Sequence, residues 1–334
     1  MVGGSTSRRR AEPIAEVTRS GIVESVHLGH VAVCDADGRL LARLGDPGRV
    51  VFARSAMKPL QAAVSLRAAG EPLPEAEVAV ACASHGGEPA HVRVVRSLLR
   101  RAGLPPTALR CPPGWPLDRE AAIRAGRPSP ELHNCSGKHA AMLLACVRRG
   151  WDLAGYPRAV HPLQRRILRA VLRATGLGRV AVGVDGCGVP VHGMPLASLA
   201  VLFARLARPE RLGPVGEEAA RAVTAMASHP YLVAGRNRVD TAVMEAAPRV
   251  VVKAGAEGLV CAALLEPGVG VAVKVEDGGD RAAGPALLRT LEVLGALSAA
   301  ELRALATHAV RPVRGGERVV GEVSSRLALR PGRG

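Results

Sequence analysis

Aromatic residues are almost missing from this chain: Phe, Trp and Tyr together make up 2% of its 334 residues. Proteins that hold single-stranded nucleic acid stack its bases on aromatic rings. The formal net charge of +16 therefore does not mark a nucleic-acid binder. The arginines are scattered over helical stretches such as 96–101 and 165–173, as on solvated helix faces, so no nucleic-acid partner is expected. Long apolar runs are also lacking. None approaches the roughly 18 to 20 residues of a membrane span, which predicts a soluble protein with no membrane partner. The seven cysteines are odd in number and irregularly spaced, which excludes a disulfide framework and predicts a cytoplasmic location. Residues 1–13 lack the apolar segment of a signal peptide and are expected to form a disordered tail. With 48% hydrophobic residues but few rings, the core has to be built from Ala, Val and Leu.

Lysine is the other scarcity. There are four, Lys58, Lys138, Lys253 and Lys274, against 41 arginines. Arginine stays protonated at any workable pH, whereas a buried lysine can lose its proton and serve as base or ligand. All four lysines fall in dense polar motifs, which points to an enzyme that uses neutral lysine.

Alternation predicts strands from residue 14 onward, with Asp37-Gly38 as a hairpin turn. Helical patterning follows over 55–69, where Pro59 falls in the first turn. Helices then dominate: 88–102, 136–149, 162–175, 195–206, 215–227 and 238–246, interrupted by one strand at 180–184. Strand patterns return at 250–253, 259–264 and 269–275, and a helix at 280–294 precedes a short helix and a last strand near 319–323. The expected fold is α+β: an antiparallel sheet from both chain ends, flanked by helices, with a helical insertion. One domain should span 14–330, with sheet regions at about 14–70 and 247–325 and a helical region at about 71–246.

Ser55 and Lys58 stand three apart where a strand passes into a helix, a spacing that puts both on one helix face. A helix N-terminus depresses a lysine pKa and stabilises an alkoxide, and a serine beside a deprotonatable lysine is an activated nucleophile. Ser84-His85-Gly86-Gly87-Glu88 is a second polar cluster at a helix start, where Glu88 could simply complement the dipole. Lys253-Ala254-Gly255 ends a strand and is similar to the lysine-x-glycine motif bordering the serine of β-lactamases and penicillin-binding proteins. His133-Asn134-Cys135-Ser136-Gly137-Lys138-His139 opens a helix with Ser136 as candidate N-cap, and Asp185-Gly186-Cys187-Gly188-Val189-Pro190 follows a strand. Cys135, Lys138 and Cys187 could share a zinc ion or remain buried free thiols. No C-x-x-C, H-E-x-x-H or zinc-deaminase signature supports the metal by spacing.

Taken in order, these motifs, with Arg54-Ser55-Ala56-Met57-Lys58-Pro59, Lys253-Ala254-Gly255-Ala256-Glu257-Gly258 and Lys274-Val275-Glu276-Asp277-Gly278, resemble the asparaginase II family, the rhizobial-type or class-three L-asparaginases. The resemblance runs from about residue 16 to 323. It implies hydrolysis of L-asparagine to L-aspartate and ammonia on a fold similar to serine β-lactamases and glutaminases. It also implies Ser–Lys tandems of Ser55 with Lys58 and Ser84 with Lys253, zinc on Cys135, Lys138 and Cys187, and a homodimer. The expected chemistry is attack by Ser55 with Lys58 as base, Ser84 and Lys253 assisting. Arg54, His139, Asp185 and Glu257 are candidates for holding the substrate. A penicillin-interacting serine hydrolase shares the Ser–Lys chemistry, and a non-catalytic zinc- or nucleic-acid-binding protein would need none of it.

Overall fold

The computed structural model describes residues 10–332. Its N-terminal strands are β1 (Glu12–Arg19), β2 (Ile22–Asp35) and β3 (Leu40–Leu44), followed by the short β4 (Val50–Phe52). The turn between β2 and β3 is held by the Asp35 carboxylate, which accepts the N–H groups of Asp37 and Arg39. Beyond a long helical stretch come β7 (Val250–Ala254), β8 (Leu259–Leu264), β9 (Val269–Val275), β10 (Arg311–Gly315), β11 (Arg318–Ser324) and β12 (Arg330–Pro331). All of these strands except β4 form one antiparallel sheet in the order β10-β11-β1-β2-β9-β8-β7, with β3 on β2 and β12 on β3. The fold is α+β, with its sheet drawn from both ends of the chain.

Along β2, β8 and β9 side chains alternate between the two faces of this sheet, the period of two that strands impose. Ala32, Cys34, Cys261, Ala263 and Ala272 face one core. Val31, Val33, Val260, Ala262, Val271 and Val273 face the other. On the first face lies α7 (Leu196–Ala207), against β2, β8 and β9. It sits so close that a Cβ on Gly270 would stand 1.9 Å from the Ala200 carbonyl oxygen. On the second face lies α11 (Asp280–Val293), followed by the short α12 (Ala299–Ala304) and α13 (Ala306–Ala309).

Between the strand groups run α1 (Lys58–Ala69), α2 (Glu75–Ala81), α3 (Pro89–Arg101), α4 (Arg119–Ala125), α5 (Ser136–Arg149), α6 (Pro162–Thr175), α8 (Gly216–Ser228), α9 (Pro230–Ala234) and α10 (Val239–Ala246). Helices α1, α2, α5, α6 and α8 pack on one another around the larger core, built from Ala, Val and Leu with Phe203 and Tyr156 as fully buried rings. Three expectations need correction. The insertion holds two strands, β5 (Ala181–Val184) and β6 (Pro190–Pro195), which form a small sheet with β4. Proline at the first residue of β6 hid that strand, since proline usually marks a loop. The tail expected over 1–13 does not take in Glu12 and Pro13, which pair with Gly29 and Leu28 in β1–β2; residues 1–9 lie outside the described residues. Ser136 is the first residue of α5, not its cap; Cys135 occupies the cap position.

Candidate active site

From β4 the chain enters a 3-10 turn, Arg54–Met57, and continues directly into α1 at Lys58. Ser55 is half-buried on that turn, and Lys58 is fully buried. The Lys58 amine donates to the Ala83 carbonyl at 2.6 Å and to Ser84 Oγ at 2.9 Å, with the Asn134 carbonyl oxygen at 3.5 Å. In this geometry the serine held by Lys58 is Ser84, whereas a Ser55–Lys58 pair was expected. The reason is local. The backbone N–H of Lys58 closes the turn on the Ser55 carbonyl, and the buried amine then runs inward to the acceptors that burial obliges it to find.

Ser84 follows α2, and its backbone N–H bonds the Val233 carbonyl at 2.8 Å. His85 accepts the Gly87 N–H on Nδ1 at 3.1 Å, so Nε2 carries the proton and donates to Ser136 Oγ at 3.0 Å. Burial, with His91 and Lys58 nearby, holds this imidazole well below its ordinary range, and it stays neutral. Glu88 does more than complement the dipole of α3. Its buried carboxylate accepts from Tyr231 Oη at 2.7 Å and pairs with Arg236 Nε at 2.9 Å, tying the Ser84 loop to the segment after α9.

Lys253 lies on β7, opposite Cys261, and is fully buried. It donates to its neighbour's carbonyl, Ala254 O, at 2.9 Å and faces Asp240 Oδ1 at 3.5 Å. Burial pulls the amine down to about 8, against the opposing pull of Asp240. The expected Ser84–Lys253 hydrogen bond is not formed among the described residues. Instead the two lysines face each other electrostatically, with Ser84 on Lys58 and Asp240 on Lys253. Asp240 went unnoticed in the sequence because an acidic residue in a helix's first turn is an ordinary match to the helix dipole.

Arg54 bonds Asp185 Oδ1 at 2.8 Å and approaches Glu257 at 3.9 Å. Three expected substrate contacts are thus brought together. Arg54 and Glu257 both hold positive φ, 44° and 64°, a strained conformation for residues with side chains that collects at functional sites. His139 stands apart from them. It is buried on α5, with Nδ1 accepting from Tyr156 Oη at 2.6 Å, and burial next to Lys138 keeps it well below its ordinary range.

Cys135, Lys138 and Cys187 converge in a buried pocket. The Lys138 amine donates to Cys187 Sγ at 3.1 Å. The neighbouring Cys187 side chain, together with Lys58 and Lys138, draws Cys135 well below the ordinary thiol range against its burial, and Cys135 in turn drives Cys187 up. Burial alone would lower Lys138, but the two sulfurs and Asp185 outweigh it and push the amine up to about 12. No group of three or more His, Cys, Asp or Glu side chains is placed to hold a metal among the described residues. Two thiols with a lysine amine as third donor nevertheless fit a borderline-soft ion such as zinc in donor chemistry.

The sequence matches the family model described as L-asparaginase II over residues 15–325. The chain belongs to the L-asparaginase II family. No curated protein matches it. Among solved structures it is similar to a crystal structure of a β-lactamase from Mycobacterium bovis, with 18% identity and a TM-score of 0.44, covering 80% of this chain and 94% of that one. A likeness that loose carries no argument about chemistry. In this L-asparaginase II chain every motif lysine but Lys274 is buried, and Lys274 is half-buried on β9.

Proposed function

We propose that the protein hydrolyses L-asparagine to L-aspartate and ammonia through a serine-bound aspartyl ester, with lysine as the base. The observation that carries this reading is the pair of fully buried lysines, one holding a serine hydroxyl at 2.9 Å. A buried amine that becomes neutral can take a hydroxyl proton, and the hydrogen bond then reverses, with the serine O–H donating to nitrogen. Ser55, half-buried and without a side-chain hydrogen bond among the described residues, is the nucleophile. Its proton passes to Lys58, with Ser84 as relay. The Ser55 oxygen bonds the side-chain amide carbon, and backbone N–H groups at the start of the turn meet the oxyanion, a contribution of about 3 kcal/mol in acyl transfer. The C–N bond then breaks, the lysine's proton leaves with ammonia, and water attacking the ester under the same base restores Ser55. Arg54 is set to hold the α-carboxylate; Asp185 and Glu257 are set to hold the α-ammonium. Zinc would be held by Cys135, Lys138 and Cys187, where it would fix the loops that carry them and supply positive charge.

The test is ammonia release from L-asparagine by the wild type, Ser55→Ala, Ser84→Ala and Lys58→Arg in parallel. Ser55→Ala and Lys58→Arg should each lose activity by about a thousandfold or more, and Ser84→Ala by less. Turnover retained in Lys58→Arg would overturn the scheme, because a guanidinium cannot take the proton. A wild type that releases no ammonia but is labelled by penicillin would be a β-lactamase-type hydrolase instead.

A further inference from the structure

Asp240 has no place in the chemistry above, yet it is among the most deeply buried charged groups of the molecule, at 0% exposure. It stands in the first turn of α10, and α10 packs on β7, the strand carrying Lys253. One carboxylate oxygen, Oδ1, accepts the Ala254 N–H at 2.6 Å and lies 3.5 Å from the Lys253 amine. The other, Oδ2, is buried without a hydrogen-bond partner among the described residues. A buried carboxylate with an idle oxygen is costly. For stability alone, a neutral side chain accepting the Ala254 N–H would serve better.

The groups facing Lys253 show what the charge does there. Arg238, just ahead of α10, and Lys58, on α1, both oppose a proton on Lys253. The Cys82 and Cys261 thiols also face it, but burial raises Cys82 to about 12 and Cys261 well above its ordinary value, so both are neutral. Asp240 is the one carboxylate among them. Burial works against its ionisation, yet Lys253 and Arg238 outweigh that and hold it ionised.

We propose that Asp240 is the positioning residue of the buried Lys253, fixing the direction of its amine and setting how readily that amine gives up its proton. One buried carboxylate compensates one positive charge, and the nearest amine to it is that of Lys253 at 3.5 Å. The catalytic consequence rests on the serine–lysine reading above; the coupling between Asp240 and Lys253 does not.

The scarcity of lysine supplies the test. Lysine labelled with 13C at Cε gives four resonances in the full chain, and the one lost in Lys253→Arg is assigned to Lys253. Each is followed from about pH 6 to about pH 11 in the wild type, Asp240→Asn and Asp240→Ser, both of which keep an acceptor for the Ala254 N–H. Without the carboxylate the ammonium loses its partner and gives up its proton sooner. The Lys253 titration should therefore move down by about one to three units, and the acid limb of kcat/KM for L-asparagine should move down with it. An unchanged Lys253 titration in a folded neutral variant would overturn the proposal. So would failure of both neutral variants to fold, which would make the carboxylate purely structural. A wild type that releases no ammonia would sink the asparaginase reading, while the lysine titration would still decide the role of Asp240.

Discussion

Lysine and arginine carry the same charge, and this protein separates their uses. Lys58, Lys138 and Lys253 are at most 2% exposed, positions where an amine that can be neutral or share its lone pair differs in kind from a guanidinium. That much was legible from composition, since four lysines in 334 residues all fell in motifs. What each lysine bonds was not legible. Spacing along the chain pairs Lys58 with Ser55, but a side chain with four rotatable bonds takes the best acceptor the fold brings near, here Ala83 O and Ser84 Oγ. Cys135 and Lys138 stand three apart at the start of α5, and Cys187 joins them because the loop before β6 folds onto α5, a grouping the family resemblance implied and spacing alone did not. Their proposed zinc gives a prediction at this scale. Cys187→Ser replaces a thiolate donor by a hydroxyl, and zinc affinity by calorimetry should fall by on the order of a hundredfold, as one of few ligands sharing the roughly 10–16 kcal/mol of a structural zinc site is lost. Equal affinity in wild type and variant would remove Cys187 from the ligand set.

At the level of elements, the long periodic segments were legible and the short ones were not. Helices α5 and α6 and strands β8 and β9 stand where periodicity placed them, because each carries an apolar face long enough to reveal its period. Strand β4 has three residues and β6 begins with proline, so neither shows a period of its own. They exist because each supplies the other's ladder: Val50, Val51 and Phe52 pair with Pro195, Met194 and Gly193. That pairing places the Arg54–Met57 turn beside the Asp185 loop, and so creates the Arg54–Asp185 contact. The packing of α5 on α2 positions the other half of the site, and it depends on Gly137. A Cβ there would lie 2.2 Å from the Val80 carbonyl oxygen and 2.4 Å from Val80 Cγ1, with backbone on both sides unable to yield. Gly137→Ala should therefore cost about 1–3 kcal/mol and lower Tm by about 2–10 °C in calorimetry. An unshifted Tm would mean that α5 can slide on α2, and the positioning of Lys138 by this contact would have to be abandoned.

On the scale of the whole molecule, the sheet closes the chain on itself. Strand β1 pairs with β2 on one edge and with β11 on the other, Glu16 opposite Ser324 and Val17 opposite Val323. The end of the chain is stitched to its beginning by Ser325 Oγ donating to Ile14 O at 2.5 Å and by Arg330 pairing with Glu12 at 2.7 Å. Two buried apolar side chains, Val323 and Leu327, each 4% exposed, lie in this returning segment. Ending the chain at residue 310 would remove β10, β11 and β12. Burial of each such side chain contributes about 1.5–3 kcal/mol, so their loss alone takes about 3–6 kcal/mol from a typical total of about 5–15. It would also leave β1 as a bare edge open to pairing with another copy. Lys253 sits on β7, the opposite edge of the same sheet, so the deletion touches no proposed site residue. The shortened chain should nevertheless lose its cooperative thermal transition by circular dichroism and sediment as aggregate. If it instead melts cooperatively within a few degrees of the full chain, the C-terminal strands are an appendage. The folding unit that presents the lysines would then end at α13, and the sheet would need only β1, β2, β3, β7, β8 and β9 to hold the site together.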